Sequence, residues 1–108
     1  MCTYTTEQTP IEGSAKGRDG WVAVTRATVY YDHPVHAQAA HSLNIDFVDP
    51  ARGPGGRVAV ELTAESALAL VDAIHMALAA VPPGITGFPE ATADRVADQA
   101  ALVAARRG

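Results

Sequence analysis

The chain has 108 residues, which is enough for one compact core and too few for two independent domains. Apolar residues make up 48% of it and charged residues 19%, a composition typical of a globular domain rather than a disordered chain. With a formal charge of −4 and scattered basic residues, the sequence offers no positive stripe to a phosphate backbone, so nucleic acid is not an expected partner.

The first half of the chain carries the patterns of β-strands. Residues 2–7 are rich in threonine and predict a short strand, and the glycine-rich segment 13–20 is predicted to be a surface loop. Residues 21–31 predict a long strand, while residues 41–48 and 57–62 alternate apolar and polar side chains, as strands with one buried face do. The simplest assembly is an antiparallel meander of three or four strands.

Matching the apolar faces of these strands predicts a register, because a slip of one residue would turn a strand over. Tyr31 would lie opposite His41, and on the other face of the sheet Arg26 would lie opposite Asp46. The connection between the last two strands would then be long and irregular, since residues 50–56 contain two prolines and three glycines.

Two helices are predicted in the second half of the chain. The first follows Thr63 as its N-cap and runs to about Val81, where two prolines end it. The second begins near Pro89, which is acceptable in a first turn, and runs to about Arg107. The apolar stripe of the second helix is thin, so we expect this helix to need a neighbouring helix.

These patterns together predict an α+β fold. A single domain would span residues 1–108, β-rich over 1–62 and helical over 63–108, with the antiparallel sheet packed by the two C-terminal helices. The apolar residues on both faces of the strand at 21–31, together with the thin stripe of the second helix, favour a homodimer.

Membrane insertion and secretion find no support in the sequence. The longest uncharged stretch, which begins at Ile74, is interrupted by Pro82 and Pro83 and is too broken for a membrane span. The first residues have neither the basic nor the apolar segment of a secretion signal, and the single cysteine, Cys2, cannot form an internal disulfide. We therefore expect a cytoplasmic protein with no membrane partner.

Three of the four histidines lie close together in the sequence, as His33, His36 and His41. Imidazole is a ligand for zinc and iron, and Cys2 could add a thiolate, so these four residues are a candidate site for a divalent metal ion. The spacing matches no strong metal-binding motif, because a loop can place His33 and His36 in many positions. The alternative is a pair of solvated loop histidines beside a partly buried His41.

The same stretch could support acid–base catalysis. His33 and His41 would transfer protons, Asp32 or Asp46 would orient an imidazole, and Tyr31 would donate a hydrogen bond to a small-molecule substrate.

A second candidate site lies on the polar face of the predicted sheet. Arg26, Asn44 and Asp46 would share this face with Thr28 and Glu61, with Asn44 near Glu61 across the next pair of strands. Charged and amide groups on one face could orient a small ligand, although a simple cross-strand pair of Arg26 and Asp46 would explain them as well.

Several short motifs together resemble a family of small uncharacterised actinobacterial proteins. They are Met1-Cys2-Thr3-Tyr4, Gly13-Ser14-Ala15-Lys16-Gly17 with Gly20-Trp21, Asp32-His33-Pro34 and His41-Ser42-Leu43-Asn44-Ile45-Asp46. The resemblance covers residues 1 to about 80 and leaves the alanine-rich tail as an extension. It implies a bacterial, cytoplasmic, single-domain protein and assigns no activity or catalytic residue.

Two functions therefore stay open. The first is a small enzyme that acts on a small molecule through a histidine-centred, metal-dependent or proton-transferring site. The second is a non-catalytic homodimeric module for binding or assembly. Whether the three imidazoles converge in space would discriminate between them.

Overall fold

The computed structural model of the protein describes residues 5–34 and 40–108. Its chain divides into two compact units, Met1–Ala64 and Glu65–Gly108, and each unit is described by itself. The first unit holds the strands β1 (Thr6–Gly17), β2 (Gly20–Asp32), β3 (Ser42–Val48) and β4 (Arg57–Leu62), and the second holds the helices α1 (Ala64–Ala79) and α2 (Glu90–Arg107).

The four strands form one antiparallel sheet in the order β1-β2-β3-β4, a meander. This confirms the predicted α+β class and settles the number of strands at four. Val24 and Ala27 of the central strand β2 are the buried apolar residues of the described part of the sheet. The polar Ser42 and Asn44 of β3 are buried as well.

β1 differs from the prediction, because it extends through the segment predicted to be a loop. Instead of covering residues 2–7, it runs from Thr6 past Pro10 to Gly17 and reverses direction at residues 18–19. Proline is tolerated there since β1 is an edge strand and the pairing with β2 shifts between Pro10 and Gly13. Gly20 closes the reversal with a φ of 109°, a backbone angle that glycine adopts readily.

The predicted register is wrong between β2 and β3 and right between β3 and β4. Tyr31 lies opposite Leu43 instead of His41, and Arg26 lies opposite Val48 instead of Asp46, a displacement of two residues. A two-residue shift keeps every side chain on its predicted face, so the apolar pattern could not detect the error. The 50–56 connection is a 3-10 segment broken at Gly53 (φ 64°), long and irregular as predicted.

The two helices run antiparallel within their unit. Asp72 of α1 accepts a hydrogen bond from the guanidinium of Arg106 of α2 at 2.6 Å, and residues near the end of α1 lie beside the first turns of α2. Val96 and Val103 of the predicted apolar stripe are buried. Of the helices that the structure describes, none is long and apolar enough to cross a membrane.

Candidate functional site

A polar cleft of about 210 Å³ lies on one face of the sheet. Side chains of alternate residues on three neighbouring strands converge there, because Tyr30 pairs with Asn44 and Asn44 with Glu61. The cleft is lined by Tyr30, Asp32, His33, Asn44, Asp46, Arg57, Ala59, Val60 and Glu61. Its polar groups therefore come from β2, β3 and β4 together.

Asp46 is the centre of the hydrogen bonds in this cleft. The Nη2 atom of Arg57 donates to its Oδ1 atom at 2.8 Å, and the phenol of Tyr30 donates more weakly to its Oδ2 atom at 3.4 Å. The side chain of Asp46 is only 17% exposed, whereas that of Arg57 is 50% exposed. Without these two donors the carboxylate would lose most of its hydrogen bonding, because little water reaches it. The guanidinium would lose less without the carboxylate, because water can solvate it.

Tyr30 and Arg57 keep their ordinary protonation states at neutral pH. Burial raises the pKa of the Tyr30 phenol above its usual value, and the neighbouring Asp46 carboxylate raises this pKa further. The hydrogen bond to Asp46 raises the pKa of the Arg57 guanidinium. Tyr30 therefore stays a neutral donor and Arg57 a cation in the physiological range.

Asn44 is held in place by a hydrogen bond from Ser42, which lies two residues before it on β3. The hydroxyl of Ser42 donates to the Oδ1 atom of Asn44 at 2.5 Å, and Ser42 is fully buried while Asn44 is 5% exposed. Among the described residues, no buried side-chain nitrogen or oxygen lacks a hydrogen-bond partner. The side chain of Asn44 is thus held in one orientation in the cleft by the buried hydroxyl of Ser42.

Aromatic rings form a stacked column at the end of β2. The ring centroids of Tyr31 and His41 lie 5.8 Å apart, and those of His41 and His33 lie 4.5 Å apart. The Nδ1 atom of His33 is 2.9 Å from the carbonyl oxygen of Ala40. Since a carbonyl can only accept, Nδ1 carries the proton, and the lone pair of the neutral ring is then on Nε2.

The structure brings only some of the sequence-predicted site residues together. Asp32 and His33 share the cleft with Asn44 and Asp46, while Tyr31 and His41 belong to the ring column, which His33 joins to the cleft. Arg26 is not among the residues that line the cleft.

The proposed metal ligands are only partly covered by the structure. Cys2 and His36 lie outside the described residues. Within residues 5–34 and 40–108, no group of three or more histidine, cysteine, aspartate or glutamate side chains could hold a metal ion. His33 and His41 stack face to face instead.

Sequence reasoning missed two members of the cleft, Tyr30 and Arg57. Both were detectable from strand alternation, since Tyr30 shares the parity of Asp32 on β2 and Arg57 shares that of Glu61 on β4. The assumed pair of Arg26 and Asp46 concealed them, because it gave the aspartate a different cationic partner.

Comparisons with known proteins give a family but no activity. No curated protein and no solved structure matches the chain. One family model matches residues 1–87, a span that contains the whole sheet and α1 and ends before α2. The chain belongs to this family of unknown function, DUF6295.

Proposed function

We propose that the protein is a non-catalytic binding module whose sheet cleft takes a small organic cation with N–H donors, such as an alkylammonium or guanidinium group. The charge of the cleft carries this proposal. Its lining includes three carboxylates, those of Asp32, Asp46 and Glu61, and a single arginine, Arg57, which is already paired with Asp46. A surplus of carboxylates in a partly buried cleft favours a cationic ligand.

The size of the cleft limits the ligand to a small group. A volume of about 210 Å³ is less than the 300 to 1,000 Å³, roughly, of sites for drug-sized molecules. The cleft therefore fits a head group of a few atoms, with the remainder of a longer molecule outside it.

The raised pKa values of Tyr30 and Arg57 suit these two groups to binding rather than to proton transfer. A general acid or base works best with a pKa near the working pH. The pKa values of Tyr30 and Arg57 are instead raised, away from neutrality. Such groups orient a ligand by steady hydrogen bonds and charge rather than by proton transfer.

Titration of the ¹⁵N-labelled protein by NMR at pH 7 tests this function. We expect methylguanidinium and ethylammonium to shift the amide signals of β3 and β4, and propionate to leave them in place. Glu61→Gln should weaken the binding of both cations about tenfold. Glu65→Gln, which neutralises an exposed carboxylate in the first turn of α1, is the matched control and should bind normally. Equal shifts with propionate, or normal cation binding by Glu61→Gln, would reject the proposal.

A histidine-centred enzyme is the second candidate function. It is supported by the position of His33, which lines the cleft beside Asp32 and stacks on His41. In this reading His36 and Cys2 would complete a site for zinc or iron. Metal analysis of the purified protein and of a double variant, His33→Ala with His41→Ala, tests it. Protein without bound metal, together with unchanged ligand binding by the variant, would eliminate the metal-dependent enzyme.

We further propose that the module is a bacterial, cytoplasmic homodimer. Leu68 and Val71, one helical turn apart on α1, are 68% and 45% exposed, and a second copy could cover them. Light scattering should give twice the chain mass at micromolar concentration, and Leu68→Glu should give the monomer mass. A monomeric wild-type protein would remove the homodimer and leave the cation-binding function untouched.

A further inference from the structure

A groove of about 650 Å³ lies between α1 and α2 in the helical unit. Ile74 and Leu78 of α1 form one apolar wall, and Val96 of α2 lies on the other side. Ile74 and Leu78 are 49% and 37% exposed, so their apolar surfaces are accessible from the groove. This volume is in the range of about 300 to 1,000 Å³ that is typical of small-molecule sites.

The polar groups of the groove have the opposite character to those of the sheet cleft. His75, Thr92, Arg95 and Gln99 line it, and no carboxylate does. Within the described part of the chain, Arg95 forms no ion pair. An arginine beside apolar walls is locally complementary to an anionic head group on an apolar body.

We infer that this groove binds an amphipathic carboxylate, with the carboxylate at Arg95 and the alkyl chain along Ile74, Leu78 and Val96. The guanidinium supplies a planar pair of donors that matches a carboxylate, and Thr92 and Gln99 supply further hydrogen bonds. Burial of the alkyl chain against the aliphatic side chains stabilises the complex in proportion to the apolar area removed from water. This site is separate in its residues and in its ligand class from the cation cleft of the sheet.

Calorimetry and NMR with octanoate as the probe test the inference on the full chain, below the concentration at which octanoate forms micelles. We expect saturable binding that shifts amide signals of residues 74–78 and 91–99. Octan-1-ol and octylammonium, which have the same chain without the negative charge, should bind at least tenfold more weakly. Arg95→Gln should weaken octanoate binding about tenfold, and Arg107→Gln, in the last turn of α2 and outside the groove, should not change it.

Three results would overturn the inference. Octylammonium could bind as well as octanoate, or Arg95→Gln could bind octanoate normally while remaining folded by circular dichroism. The third result is that octanoate fails to bind. If Ala91→Glu, a change in the groove wall, then converts a dimer to a monomer, the groove is assigned to a second copy of the chain.

Discussion

The pair of Asp46 and Arg57 should respond unequally to the loss of either partner. Replacing Arg57 with Met leaves the carboxylate, which is 17% exposed, with only the 3.4 Å hydrogen bond from Tyr30. An under-satisfied, partly buried acceptor of this kind costs about 1–3 kcal/mol of unfolding free energy. Replacing Asp46 with Asn leaves a guanidinium that is 50% exposed and that water can solvate, so the loss should be about 0.2–1 kcal/mol.

Urea unfolding at pH 7 of the two single variants and of the double variant measures this asymmetry. We expect Arg57→Met to be the more destabilising change by about 1 kcal/mol. The double variant should resemble Asp46→Asn, because no partly buried charge is then left without its partner. Asp94→Asn, at an exposed position of α2, is the control and should lie within about 0.5 kcal/mol of the wild type. If Asp46→Asn is as costly as Arg57→Met, the carboxylate does not depend on the arginine in the way its burial implies.

Three further predictions concern other parts of the chain. The raised pKa of Tyr30 contributes stability in full below pH 10, the unfolded value, and this contribution is lost as the pH rises through the higher folded value. Tyr30→Phe should therefore keep more of its unfolding free energy than the wild type as the pH is raised from 8 to above 10, with the difference appearing only near and above pH 10. Gly56→Ala should lose about 1–3 kcal/mol in urea unfolding, because its Cβ would lie 2.7 Å from a side-chain carbon, whereas Gly55→Ala, with no atom within 4 Å, should lose nothing. Arg106→Met should lose at most about 1 kcal/mol, since the guanidinium is 60% exposed and Asp72, at 24%, is more open to water than Asp46, and a loss above about 2 kcal/mol would contradict this.

The cleft shows how far strand alternation can carry a functional prediction. Asn44 and Asp46 are on the polar face as predicted, because alternate side chains of a strand point to the same side whatever the pairing. The partner of Asp46 was missed, since Arg26 and Arg57 lie on the same predicted face and only the register chooses between them. The structure chooses Arg57, which lies on β4 two residues from Ala59, the residue directly opposite Asp46.

The histidines are a case that sequence spacing does not decide. His33 and His41 do come together, with ring centroids 4.5 Å apart, but His33 lines the cleft and His41 does not, and His36 lies outside the described residues. Side chains in a connecting segment have no fixed period, so sequence spacing alone does not determine where they meet.

The sequence by itself determined the α+β class, the order of the last three strands, both helices and the polar face that holds Asn44 and Asp46. These features depend on local patterns with a period of 2 or 3.6 residues, which one segment contains in full. Only the tertiary structure decided the register of β2 against β3, the extension of β1 past Pro10 and the meeting of Tyr30, Asp46 and Arg57. The physical reason is that a two-residue shift leaves every face unchanged, so the choice depends on contacts between residues far apart in the chain.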